Sequence, residues 1–373
     1  MSFNPIRSIT LSNVFRVLGI TLAICLVFGI VDSGVSWAGT PVVRNIPTTN
    51  SSAHSFLISL AVNPTTDTVY AANGHSISVI SGKTDKVTHT ILAKSAGLAV
   101  NPTTDTVYAA NGHSISVISG KTDKVVRSIR MRYNVVGLAV NPTTDTVYAA
   151  TYEDSYATYL GQAPESTLSV INGVTDKVTH TVDLNSQVLA LAVNPTTDTV
   201  YAADDTVSVM NGATGKVTHT IHGDPGFPSF FFNLAVNPTT DTVYAANGHS
   251  IWVISGKTDK VTHTILAKSA GLAVNPTTDT VYAANGHSIS VISGATSKLV
   301  RSIRARSNVV GFSVNPTTDT VYATNRNSVS VIALATGSQT SDSRVIIGLA
   351  AVGLVIVVGG ATFLVALKRR RAA

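Results

Sequence analysis

Seven copies of the ten-residue string VNPTTDTVYA, identical at every position, begin at Val62, Val100, Val140, Val193, Val236, Val274 and Val314. The intervals between them are 38, 40, 53, 43, 38 and 40 residues, the size of one four-stranded blade rather than of a helical or leucine-rich repeat. Seven such units predict an all-β chain folded as a seven-bladed β-propeller.

One unit shows how a blade is written. Residues 57–62 are an apolar run and 68–72 a second strand; 76–80 alternate polar with apolar, and 86–91 make a fourth strand. Asn63 to Asp67 form the first turn, where Pro64 presets φ and Asp67 can accept backbone N–H bonds. Asn73-Gly74 in the second turn predicts a type I′ hairpin, which needs positive φ at both central residues. The seventh unit has only three strands, at 311–315, 320–324 and 328–333. Its missing fourth is expected from the other end of the chain, because Pro41-Val42-Val43-Arg44-Asn45-Ile46 matches the fourth strands Val125-Val126-Arg127-Ser128-Ile129 and Leu299-Val300-Arg301-Ser302-Ile303. Closure of the ring by that N-terminal strand would remove the open edge.

Both ends of the chain differ from the repeat. Residues 17–31 are apolar, follow Arg7 and Arg16, and precede the small-residue site Ser36-Trp37-Ala38, which predicts a signal peptide over 1–38. The sole cysteine, Cys25, lies inside that stretch, so the mature chain would have no thiol chemistry. Residues 345–367 carry no charge and are long enough to cross a bilayer. The Lys368-Arg369-Arg370-Arg371 cluster follows them and predicts a cytoplasmic tail over 368–373. The expected organisation is therefore a signal peptide, a propeller over 39–338, a linker over 339–344, one transmembrane helix and the basic tail, with the propeller on the extracytoplasmic side of the cell membrane.

Five of the six net positive charges belong to the ends. The two flanks contribute +1 and +4, which leaves 20 basic against 19 acidic residues between them. A near-neutral propeller offers no basic surface, and nucleic acid is not an expected partner.

A strand ending in Val-Asn-Pro, a Val-Tyr-Ala strand with Asn after it, and a Ser-Ile-Ser-Val-Ile strand with Gly after it together resemble the YVTN-repeat propellers, YncE-like proteins among them. The resemblance covers about 300 residues and implies the propeller fold. It also implies export, and single-stranded DNA binding as one alternative activity. Residues 235–324 repeat 61–150 at an offset of 174, with Trp252 in place of Ser78 among the few differences.

Identical blades offer the same side chains several times over, whereas a catalytic centre needs different ones converging at a point. No GxSxG elbow, Walker loop, HExxH helix or CxxC pair is present, and no cofactor is expected. The seven repeat aspartates, from Asp67 to Asp319, fit either a plain turn role or a rim of carboxylates able to hold calcium; the turn reading needs fewer assumptions. His75, His113, His249 and His287 follow Asn-Gly turns. His89, His180, His219 and His263 lie in fourth strands, where arginine in two other blades marks a solvated edge.

Two connections depart from the repeat. Residues 152–167 replace the short turn of blade three, and 222–232 lengthen the link from blade four to blade five. Both are expected on the face that carries the second-to-third and fourth-to-first connections, called the top here. The first holds Tyr152, Tyr156 and Tyr159 with Glu153 and Glu165, the only glutamates in the chain; the second holds Phe227, Phe230, Phe231 and Phe232. Aromatic rings on rigidly held loops suit a recognition surface, and they equally suit a cap packed on itself. The expectation is a non-catalytic binding or scaffold propeller whose partner is an envelope polymer or protein. The alternative is a propeller lyase or hydrolase using top-face histidines or carboxylates, the latter from Glu153, Asp154, Glu165, Asp204, Asp205 and Asp224.

Overall fold

The computed structural model describes residues 42–48, 57, 59–153, 166–184, 187–222, 230–269, 271–305, 308–309, 311–325, 328–333, 356–359 and 362–365. The unit spanning Pro41–Leu334 is a seven-bladed propeller of four-stranded antiparallel sheets. Blade one consists of Ser59–Asn63, Thr68–Ala72, Ile77–Ser81 and Lys86–Ile91, within two residues of the strands read from the sequence. The first strands touch one another in a closed circle around the axis, and the fourth strands are largely exposed, as in Lys86–Ile91 and Lys124–Arg130.

The N-terminal strand closes the ring. Val42–Pro47 pairs antiparallel with Ser328–Ala333, from Val42 opposite Ala333 to Pro47 opposite Ser328. The seventh blade thus takes three strands from one end of the propeller sequence and one from the other, and Ile46 is buried in the core that blades seven and one share.

Apolar packing lies between blades rather than within them. The second strand of each blade is buried on both faces, so Val-Tyr-Ala-Ala reads as a continuous apolar run and not as an alternation. Tyr70, Ala72, Ile77 and Val79 of blade one meet Val107, Ala109 and Ile118 of blade two. The seven repeat tyrosines, each no more than 1% exposed, are the largest fully buried side chains among the described residues.

The Asn-Gly turns are not type I′. In blade one only Gly74 has positive φ, and Asn73 instead begins the turn and closes it with its side chain: Oδ1 accepts from His75 N at 3.0 Å and Ser76 N at 2.8 Å. In blades one and five an Asx acceptor does the work that the expectation had assigned to a left-handed asparagine.

The expected signal peptide over 1–38, the linker over 339–344 and the basic tail over 368–373 lie outside the described residues. So does most of the expected transmembrane helix; within it, Ile356–Gly359 and Thr362–Val365 pair as a short antiparallel hairpin. Among the described residues no helix is long and apolar enough to cross a membrane.

Candidate functional site

The repeated residues are occupied in holding the ring. In every decamer the asparagine is fully buried, and its side chain acts in two directions. Asn63 Oδ1 accepts from Thr65 N at 3.0 Å within its own turn, while Nδ2 donates to Asp105 Oδ1 of the next blade at 2.7 Å. The same bond recurs from Asn101 to Asp145, Asn141 to Asp198, Asn194 to Asp241, Asn237 to Asp279 and Asn275 to Asp319, at 2.6–2.7 Å. Asn315 to Asp67, 2.7 Å, completes the circle across 248 residues of sequence.

Each of these aspartates has a left-handed backbone, with φ between 48° and 54°, a conformation that Asp tolerates better than most residues. Two tyrosines add to the link: Tyr148 Oη donates to Asp198 Oδ1 at 3.3 Å and Tyr282 Oη to Asp319 Oδ1 at 3.4 Å. Burial, with the next blade's aspartate as a lesser cause, pushes these phenols well above their ordinary range. The seven carboxyls therefore each receive an asparagine amide. Among the described residues, no group of three histidines, cysteines, aspartates or glutamates is placed to hold a metal ion.

A second belt lies further out. Arg44 reaches Asp85 at 2.6 Å, His89 reaches Asp123 at 3.2 Å, and Arg127 reaches Asp176 at 3.0 Å. Each bridge runs from the fourth strand of one blade to the last turn of the next. His89 is therefore more than solvated edge: it is exposed, yet tied to the following blade. His75, His113, His249 and His287 are all exposed, and His113 Nδ1 lies 3.1 Å from Arg132 O.

With the repeated side chains so engaged, the places where the chain stops repeating stand out, and those described sit on the top of blades three to five. Tyr152 ends the second strand of blade three, paired with Asn134 and Ser166, and both it and Glu153 are half-buried. Tyr156, Tyr159, Glu165 and Phe227 lie outside the described residues, as do Asp154 and Asp224. The end of the second link divides by function. Phe231 is fully buried and stacks edge to face on Trp252, with centroids 4.8 Å apart, inside the core between blades four and five. It belongs to the core and presents no ring to a partner. Phe230 and Phe232, on either side of it, are 50% and 51% exposed. Burial alternates along these three residues, with one ring turned inward as an anchor and its two neighbours outward.

The same link is fastened to an acidic turn. Phe231 N donates to the carbonyl of Asp204, and Asp204-Asp205 occupies the place that Asn-Gly has in four other blades. Asp204 is 7% exposed, whereas Asp205 is exposed. Together they line a cavity of about 470 Å³ between the end of blade three and the top of blade four, with Asp183, Leu184, Val188, Ser208, Thr220 and His222 among the other walls. Burial raises the Asp204 carboxyl above the usual carboxylate range, and the Asp205 carboxyl beside it acts the same way; the hydrogen bonds from Thr206 oppose both. The sequence named this pair among its carboxylate candidates but carried no signal that one member is buried and the other is not.

No family model matches the chain, and no curated protein matches it either.

Proposed function

We propose that the chain is a non-catalytic binding propeller of the YVTN-repeat type, held at the cell membrane by its 345–367 segment and facing outward, which engages an envelope polymer or protein through the top of blades three to five. The observation that carries this reading is the pair of half-exposed rings, Phe230 and Phe232, set on either side of a fully buried anchor. Exposed aromatics cost stability in water, and rings fixed by a rigid neighbour lose little entropy when a partner covers them. Tyr152, half-buried at the end of the second strand of blade three, would extend the same surface. The apolar 17–31 and 345–367 segments and the basic cluster after the second support export and single-pass anchoring.

The test is binding of the propeller fragment 39–338 to isolated envelope polysaccharide, envelope proteins and single-stranded DNA, beside a version with the blade-three loop cut to an Asn-Gly turn and with Phe230→Ser and Phe232→Ser, which keeps the buried Phe231 anchor. The fragment has its own closed core, so it is a fair unit for this assay. Loss of polymer or protein binding on trimming, at an unchanged melting temperature, is the expected result. Equal binding by both versions would remove the top loops from the account, and selective retention of DNA would favour the nucleic-acid alternative.

A second reading, a lyase or hydrolase, draws on Asp204, a buried carboxyl held toward its protonated form in a cleft, which is what a general acid requires. Turnover of an envelope polymer by the intact fragment, abolished in Asp204→Asn, would replace the first reading with this one.

A further inference from the structure

At the bottom of the propeller, the end that carries the decamer turns and the third-to-fourth turns, charge is sorted by depth. The third-to-fourth turns and the first residues after them supply nine lysines, two each in blades one, two and five and one each in blades three, four and six, from Lys83 to Lys298. All nine are exposed. The same end holds eleven aspartates, the seven of the decamers with Asp85, Asp123, Asp176 and Asp259, and none of them is exposed. The decamer carboxyls are turned onto the repeat asparagines, while Asp85, Asp123 and Asp176 are held by Arg44, His89 and Arg127 of the preceding blade.

Counted without regard to depth, these charges cancel: nine lysines with Arg44 and Arg127 stand against eleven aspartates. That balance predicts no basic surface, and depth is what it leaves out. Every ammonium ends a flexible stem in water, and every carboxyl is drawn in beneath it. Charges more than about 8 Å apart are largely screened at physiological salt. The bottom is therefore neutral at a distance and cationic to whatever touches it. The top differs, since Asp183 and Asp205 are exposed there.

The chain itself points to what touches the bottom. Ser328–Ala333, the third strand of blade seven, ends on this face, with Ala333 opposite Thr320 beside the last decamer turn. Eleven residues, 334–344, separate it from the uncharged segment 345–367 and span at most roughly 40 Å. A bilayer crossed by that segment lies within reach of the lysines. Their layout suits it: they are spread over six blades rather than gathered along a groove, as a plane of headgroups requires and a single strand of polymer does not. Among the described residues the bottom also presents no exposed aromatic ring on which bases could stack.

We propose that the bottom of the propeller rests on anionic lipid headgroups, the lysines of blades one to six meeting lipid phosphates. The choice of lipid rests on the reading of 345–367 as a membrane anchor. Such contact turns the top loops away from the bilayer and leaves recognition to them.

Co-sedimentation with vesicles tests this on the fragment 39–338, which has its own closed core and lacks the 345–367 segment. Binding is expected to vesicles of phosphatidylcholine mixed with phosphatidylglycerol and not to phosphatidylcholine alone, and it should disappear at about 0.5 M salt. Lys121→Gln, Lys124→Gln, Lys257→Gln and Lys260→Gln together should weaken it by at least about tenfold, with no fall in melting temperature because all four side chains are exposed. Lys94→Gln with Lys268→Gln, on the top, should leave it unchanged. Equal binding to phosphatidylcholine alone, undiminished binding by the fourfold variant, or equal weakening by the top pair would each overturn the proposal. So would a fragment that binds single-stranded DNA and ignores both kinds of vesicle. Carbonate extraction of the full-length chain from membranes tests the anchor separately. A chain that resists extraction while its fragment ignores anionic vesicles keeps the anchor and loses only the present inference; a chain that is extracted while its fragment binds them keeps the lysine face and loses the anchor.

Discussion

Gly82 is a glycine because Asp67 occupies the space where its side chain would be. A Cβ built there would overlap Asp67 Oδ1, and the same conflict arises between Gly120 and Asp105, Gly173 and Asp145, Gly256 and Asp241, and Gly294 and Asp279. Gly82→Ala must therefore displace the carboxyl that receives Asn315, and we expect it to cost roughly 2–3 kcal/mol in denaturant unfolding; a cost below about 0.5 kcal/mol would mean that the carboxyl moves freely. Asp204 supports a prediction of a different kind. Its carboxyl is raised in the folded chain, mainly by burial, among Asp183, Asp205 and His222. Folding thus favours its protonated form, and its contribution is full below the unfolded value near pH 4 and lost as pH rises through the folded value. Asp204→Asn escapes that loss. Its melting temperature relative to wild type should rise as the pH climbs from the unfolded value through the folded one, and melts taken across that rise would refute the assignment if the difference stayed flat.

Among elements, the N-terminal strand bears the most on the ring. Deleting residues 39–47 removes the partner of Ser328–Ala333 and uncovers a strand edge together with the core around Ile46. We expect a large fall in melting temperature and a tendency to aggregate; an unchanged melting temperature would show that the other twenty-seven strands suffice. The strand was legible because Val42 to Ile46 repeats the lettering of two complete blades. The link from blade four to blade five was legible only in part. Its phenylalanines announced themselves by composition, but nothing in the sequence distinguished Phe231 from its neighbours. What does so is Trp252, where the duplicated segment has Ser78, and that pairing is seen only once the two residues are placed 4.8 Å apart. Phe231→Ala is expected to cost about 3–5 kcal/mol through the cavity it leaves, measured by urea unfolding. If it cost less than Phe230→Ala, the anchor would be misassigned.

Over the whole molecule, the repeat and the departures from it do different work. Blade number, strand order and closure could be read from the chain because seven identical strings fix one unit and its count. The fastening between blades could not. Asn63 and Asp105 lie 42 residues apart, and a string that repeats perfectly gives no sign whether its asparagine serves its own blade or the next. The outer belt was hidden for the same reason, since His89 and Asp123 each look like ordinary surface. With these side chains committed to the ring, recognition is left to residues that occur once. The central claim is that the seven strings are seven equivalent fasteners in a closed circle. It is tested most directly by replacing each repeat asparagine with alanine in turn and measuring unfolding free energies. The account predicts seven similar losses, each about 2–3 kcal/mol and within about 1 kcal/mol of one another, with Asn315→Ala as costly as Asn141→Ala although its partner lies at the far end of the propeller sequence. Losses that vanish at Asn315, or that scatter without regard to the common geometry, would contradict it.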